Sequence, residues 1–321
     1  MTIKIGLKVA GFFEMAVIKP DGTRKVVAER QPNVILDNWL NKWPGNYWGG
    51  QPSITAQPFS TVSVGTSNAA VLPTQSGLVA RVATSSAASG NPAGSSISGV
   101  EPYWAENWKR YTFPVGALNG EPLAEVGLGN ATNMYTRALI KDSEGLPTTI
   151  TILSDEQLEL TYYFRVYPPV GDVVTVHNGI TCTTRAYNAN TSAWTYGNYL
   201  GTGRSCYNMN LGFRSFYATM VLTDYAGNHG GSGATGGFAS VSYSRAGDNR
   251  SLTISTSPGT TQSNGTWQGM TWGSDGSVTG EASNTLYGAV GSHFQTHFSP
   301  AIVKTSLDVM SLSVTIHWDR Y

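Results

Sequence analysis

From Leu158 the chain alternates strictly. Leu158, Leu160, Tyr162, Phe164 and Val166 fall on one side; Glu159, Thr161, Tyr163, Arg165 and Tyr167 fall on the other. Successive side chains of a strand point to opposite faces, so this stretch predicts a long strand with one dry face and one polar, tyrosine-bearing face. Pro168-Pro169 ends it. The last segment, "SLSVTIHW", repeats the pattern, with Leu312, Val314 and Ile316 opposed to Ser313, Thr315 and His317.

The same reading covers the rest of the front half. "FEMAVIKPDGTRKVVAE" has two β-rich arms around Pro20-Asp21-Gly22, and Asp-Gly supplies the positive φ of a tight hairpin turn. In "NVILDNWLNKW" the residues Ile35, Leu36, Trp39, Leu40 and Trp43 recur at helical spacing, Asp37 is placed to cap, and Pro44 stops the run. One short helix over Ile35–Trp43 is therefore expected. A strand ends at Gly65, Asn119-Gly120 marks a turn, and "LAEVGLG" reads as a buried strand. The segment "AASGNPAGSSISG" at 87–99 is polar and small, and predicts an exposed loop. "GNHGGSGATGG" predicts a flexible tip or an inter-strand loop. Beyond Gly171, strands such as "FASVSYSR", "RSLTIST" and "SVTGEA" stand between turns at the spacing of an antiparallel sandwich or barrel. The reading is all-β: an N-terminal β-sandwich over 1–169 and a C-terminal β-sandwich over 170–321.

Composition supports strands and points toward assembly. The 321 residues include 37 Gly, 15 Pro, nine Trp and sixteen Tyr. Only 12% are charged, and 20 basic residues balance 20 acidic ones. About 25% charged is usual for a soluble domain. A neutral surface has little attraction for polyanions or anionic membranes and little repulsion for its own copies. No apolar run reaches the roughly 18 residues that span a membrane, and the first residues do not read as a signal peptide. Neither nucleic acid nor membrane insertion is expected. The two cysteines, Cys182 and Cys206, make no disulfide framework and are expected to stay free.

Candidate chemistry is sparse. His293 and His297 would share a face on a helix, but no Glu follows the first. In an extended chain they lie about 13 Å apart, too far for one ion. Glu101 with Glu106, and Asp275 with Glu281, lie near tryptophans, as in sugar-cleaving clefts; aromatic-rich β proteins show the same neighbours. There is no nucleophile elbow, phosphate loop or dinucleotide fingerprint. The expectation is a non-enzyme with no cofactor or metal. Rings in loops are the remaining signal: Trp43, Tyr47 and Trp48 in "NKWPGNYWGG", and Trp267 and Trp272 in "NGTWQGMTWGSDG". Such rings cap a sandwich core, anchor a protein interface or stack on sugars.

The order "QPNVILDNWLNKW", "VSVGTSNAAV" with "GLVARVATSS", "YTFPVGALNGEPLAEVGLG", "YTRALIKD" and "TTITILSDEQLELTYYFRVYPP" resembles virion structural proteins of tailed bacteriophages, from tail-fibre, tail-tip, baseplate and collar positions. The likeness covers Gln31 to Pro169. It implies no catalytic residues and an assembly role, often as a trimer or ring. The implied partners are other virion proteins and further copies of the chain, a trimer being favoured, in a virion assembled in the host cytoplasm. Candidate interface residues are Tyr163, Arg165, Tyr167, Trp43, Tyr47 and Trp48. The alternative is a receptor-binding tail protein holding host surface glycan through the C-terminal domain, whose Gly/Ser/Trp-rich composition favours it, with Trp267 and Trp272 as candidate glycan contacts.

Overall fold

The first strand, β1 (Thr2–Ile18), organises the molecule. The computed structural model describes residues 1–41, 61–98, 100–130, 133–187, 211–224, 230–236, 241–245, 250–261, 263–274 and 293–321. β1 turns through Asp21-Gly22, with Gly22 at φ 83°, into β2 (Arg24–Ile35). A single helical turn, α1 (Asp37–Leu40), follows. Then come β3 (Thr61–Gly65), β4 (Arg81–Ser85), β5 (Ala88–Ile97), β6 (Ala105–Phe113), β7 (Pro122–Leu123), β8 (Glu125–Gly129), β9 (Met134–Leu139), β10 (Ile150–Thr151) and β11 (Gln157–Tyr167). The back half holds β12 (Val173–His177), β13 (Ile180–Tyr187), β14 (Leu211–Val221), β15 (Gly230–Gly236), β16 (Val241–Arg245), β17 (Ser251–Thr256), β18 (Gly265–Ser274), β19 (His293–Lys304) and β20 (Leu312–Arg320). Apart from α1 the described residues are nearly all β, in sandwich-like sheets that are antiparallel except where β1 pairs with β20.

In the front half, β11 lies between β1 and β6, and β5 pairs on the far side of β6. A second layer runs β9-β8-β3-β4 and meets the first where Val34 and Ile35 of β2 pair with β9. The dry face of β11 is sealed: Leu158, Leu160, Phe164 and Val166 are 0% exposed and Tyr162 is 1% exposed. Trp39 of α1 sets its ring edge-on to Phe164, centroids 5.1 Å apart.

The back half is a six-stranded sheet, β12-β13-β19-β18-β14-β15, and a layer of β16, β17 and β20. That layer is completed by β1. Residues Thr2–Val9 pair in parallel with Ser313–Arg320, before β1 takes β11 and β2 as neighbours. Ile3, Ile5, Leu7 and Val9 alternate inward beside Leu312, Val314, Ile316 and Trp318. The two halves therefore share a strand, which no boundary at 169/170 separates. Trp318 also donates its indole N–H to the Leu40 carbonyl at 2.8 Å, and among the described residues most buried apolar side chains of both halves join one cluster.

Three local expectations differ from the structure. Residues 88–97 form β5, a strand that pairs with β6, because a backbone ladder needs no apolar period in the sequence. Residues 230–236 form β15 for the same reason. The helix is one turn, its cap position is Leu36, and Asp37 faces Arg250 and Arg320 instead of capping. Trp43 lies outside the described residues.

Candidate functional site

The polar face of β11 is where candidate side chains gather. Register sets Arg165 opposite Ala10 and Glu106, Tyr163 opposite Phe12 and Trp108, and Thr161 opposite Glu14 and Arg110. Alternation then places Phe12, Glu14, Glu106, Trp108, Arg110, Tyr163 and Arg165 on one side of three adjacent strands. Arg24 and Arg30 reach over from β2.

The charges interlock. Glu106, 3% exposed, accepts from Arg165 Nε at 2.5 Å and from Arg30. Glu159 accepts from Arg24 Nε at 2.8 Å and lies 3.3 Å from Arg110 Nε. Arg24 also reaches Glu14 at 2.7 Å. Rings separate the ion pairs. The Arg30 guanidinium sits 3.8 Å from the Tyr163 ring centre and 4.9 Å from that of Phe12. Arg165 sits 4.0 Å from the Trp104 ring centre. Desolvation pushes the Tyr163 phenol above its ordinary range, so it stays a neutral hydrogen-bonding group. The carboxylates lie beneath and the guanidiniums above: Glu106 and Glu159 side chains are 3% and 5% exposed, against 31% for Arg30 and 29% for Arg110.

Of the candidate interface residues, Tyr163 and Arg165 are partly exposed on this face. Tyr167 is 5% exposed because Tyr321 stacks on it, centroids 4.0 Å apart. The polar stripe of β11 is thus drier than its composition suggests, because β11 is a central strand roofed by long side chains from both neighbours. Trp43, Tyr47 and Trp48 lie outside the described residues. Phe12, Arg30, Trp108 and Arg110 also belong to the face without being candidates for any role, and Glu106, a candidate acid in the sequence, belongs to it as an ion-pair partner. The alternation Trp104, Glu106, Trp108, Arg110 in "YWAENWKRYTF" is the sequence signal that carries most of them.

Trp267 and Trp272 require a correction. They stand on β18 and are each 0% exposed. Trp267 stacks on Phe216 at 3.7 Å and Trp272 on Phe294 at 4.4 Å. They are core of the six-stranded sheet and present no ring to a sugar.

The chemical candidates scatter. Glu106 is held by two arginines, whereas Glu101 lines a cleft of about 260 Å³ with Tyr103, Pro169, Asp172, Arg185 and Asp224. Arg185 grips Asp172 at 2.6 and 2.9 Å and lies 3.7 Å from Asp224. Asp275, Glu281 and Cys206 lie outside the described residues. His293 and His297 stand on the extended β19. Among the described residues no three His, Cys, Asp or Glu side chains gather as metal ligands would. Cys182 is buried, which pushes its thiol above the usual range and away from the reactive thiolate. The face on β1, β6 and β11 is a continuous network of ion pairs and ring contacts across adjacent strands. No family model matches the chain, and no curated protein or solved structure matches it either.

Proposed function

We propose that the chain is a structural component of a bacteriophage virion, in the tail, baseplate or collar region, which self-associates and docks on neighbouring virion proteins. The observation that carries this reading is the interlocked face of arginines and rings on β1, β6 and β11. Its guanidiniums and aromatic planes are held by ion pairs and backbone ladders, so little side-chain freedom is lost when a partner covers them. Tyr, Trp and Arg on a pre-ordered surface are the usual centre of a protein interface. The order of strands from Gln31 to Pro169 supports the virion setting, and the balanced charge supports close approach of copies. In this reading the chain is no enzyme and works within the particle.

The alternative, a receptor-binding protein, takes the Gly/Ser/Trp-rich back half as a domain that holds host glycan, and the burial of Trp267 and Trp272 removes its two candidate contacts. Immunogold labelling of particles from the phage that encodes the chain tests the proposal. Label at a fixed position on the tail is the expected result. Particles that carry no label, and contain no peptide of the chain by mass spectrometry, would refute it.

A further inference from the structure

Beside the face just described, charge is laid out in two opposed patches. Along the first half of β1, Lys4 and Lys8 stand exposed while Ile3, Ile5 and Leu7 point inward. The acid nearest in register to Lys8 is Asp319, whose carboxylate is taken by Arg250 at 3.2 Å. Lys8 stands opposite Tyr167, and two residues further Pro169 begins the wall of the cleft. There, among the described lining residues, Glu101, Asp172 and Asp224 set three carboxylates against the guanidinium of Arg185. Asp172 is engaged by Arg185, but the Asp224 side chain is 97% exposed. Next to Lys8 and Tyr167 lies Tyr321, stacked on Tyr167 and 68% exposed.

We propose that this surface docks a second copy of the chain, face to face about a two-fold axis near Tyr321. The inference rests on the assembly reading and narrows it to a contact. Adjacent patches of opposite sign are self-complementary under a half-turn: Lys4 and Lys8 of each copy come over Glu101 and Asp224 of the other. An isologous contact makes every such pairing twice. Charges at the flanks fix register and speed encounter, while the exposed Tyr321 ring supplies area at the centre. A head-to-tail ring would need the two patches on separate sides of the molecule; their adjacency beside β11 favours the two-fold.

Charge swapping in the full chain tests this. One variant carries Lys4→Glu and Lys8→Glu, the other Glu101→Lys and Asp224→Lys; all four positions are exposed, and circular dichroism with heat unfolding checks that both variants fold. In sedimentation equilibrium the wild type is expected at twice 34.3 kDa. Each variant alone should dimerise about tenfold more weakly or worse, and an equimolar mixture should recover the wild-type affinity, because both contacts then pair opposite signs. Dimers indifferent to both reversals, a mixture that fails to recover, or a trimer would overturn the proposed contact while leaving the assembly reading intact. A chain that stays at 34.3 kDa at every concentration would count against both.

Discussion

Arg137 and Glu125 show how one residue pair holds a long segment. Both side chains are 0% exposed, and Arg137 Nε donates to Glu125 at 2.7 Å. Arg137 also donates to the carbonyls of Ala69 and Ala70 and to Gln75, at 2.9, 3.0 and 2.9 Å. Glu125 accepts the backbone N–H groups of Val79 and Ala80 at 3.2 and 2.7 Å. Residues 69–80 are thereby tied down across β3 and β8, where Gly65 and Gly127 leave room. A Cβ on Gly127 would stand 2.7 Å from the Thr136 carbonyl oxygen, and one on Gly65 would stand 2.6 Å from Glu125 Oε1. Removing one charge strands the other in the interior, so Arg137→Ala is expected to cost about 3–5 kcal/mol in urea unfolding. Glu125→Leu combined with Arg137→Met should cost less than the two single changes summed. Asp37 carries a pH dependence. Burial pulls its pKa up, but hydrogen bonds and charge from Arg320 and Arg250 outweigh this and leave it below the ordinary 3.8. A depressed folded pKa stabilises above the unfolded value and fades as pH falls through the folded one. Stability should therefore decline below about pH 4, and Asp37→Asn should flatten part of that slope in urea midpoints measured from pH 5 to 2. Neither network was legible beforehand. Glu125 and Arg137 stood in plain view, but their pairing depends on the β8–β9 register, and Asp37 meets arginines more than two hundred positions away.

At the scale of elements, patterned strands were legible and bare ones were not. β11 and β20 alternate as read, and the hairpin turn sits at Asp21-Gly22. β5 and β15 are small-residue strands, and with few apolar side chains there is no period to see. β18 failed for a subtler reason. Trp267 and Trp272 have opposite parity, so a regular strand would send one ring to each face. The register with β19 is irregular between Trp267 and Gly269, and both rings are buried, Trp267 against Phe216 and Trp272 against Phe294. Gly269 is needed there, since a Cβ would stand 2.6 Å from the Thr296 carbonyl oxygen. Trp272 also donates its indole N–H to Thr296 at 2.9 Å. Trp272→Ala should then cost about 3–5 kcal/mol, as truncation of a buried large ring does, with Trp272→Phe costing less. Chemical denaturation followed by circular dichroism gives both values.

At the scale of the molecule, the strand shared by the two halves governs how the chain comes apart. Residues 1–169 read in sequence as one β-sandwich and 170–321 as another, with Pro168-Pro169 as the border. The border ends β11, yet it does not divide the sheets, because the parallel pairing of Thr2–Val9 with Ser313–Arg320 joins positions at opposite ends of the sequence. Nothing local announces such a pairing: β1 looks the same whether its neighbour is near or far. A fragment 170–321 would lack that neighbour. It would expose the flank of Leu312, Val314, Ile316 and Trp318, which are 0% exposed in the whole chain, and would leave the backbone groups of β20 that face β1 without partners. The fragment is therefore expected to show no cooperative heat transition, whereas the full chain should unfold in one transition seen alike by far-ultraviolet circular dichroism and tryptophan fluorescence. A synthetic peptide of residues 1–11, added to the fragment, should raise its β signal in a saturable way, because the missing strand can bind as an added edge. If the fragment alone melts cooperatively at the midpoint of the full chain, β1 is dispensable to the back half, and the single cluster of buried side chains is two independent cores in contact.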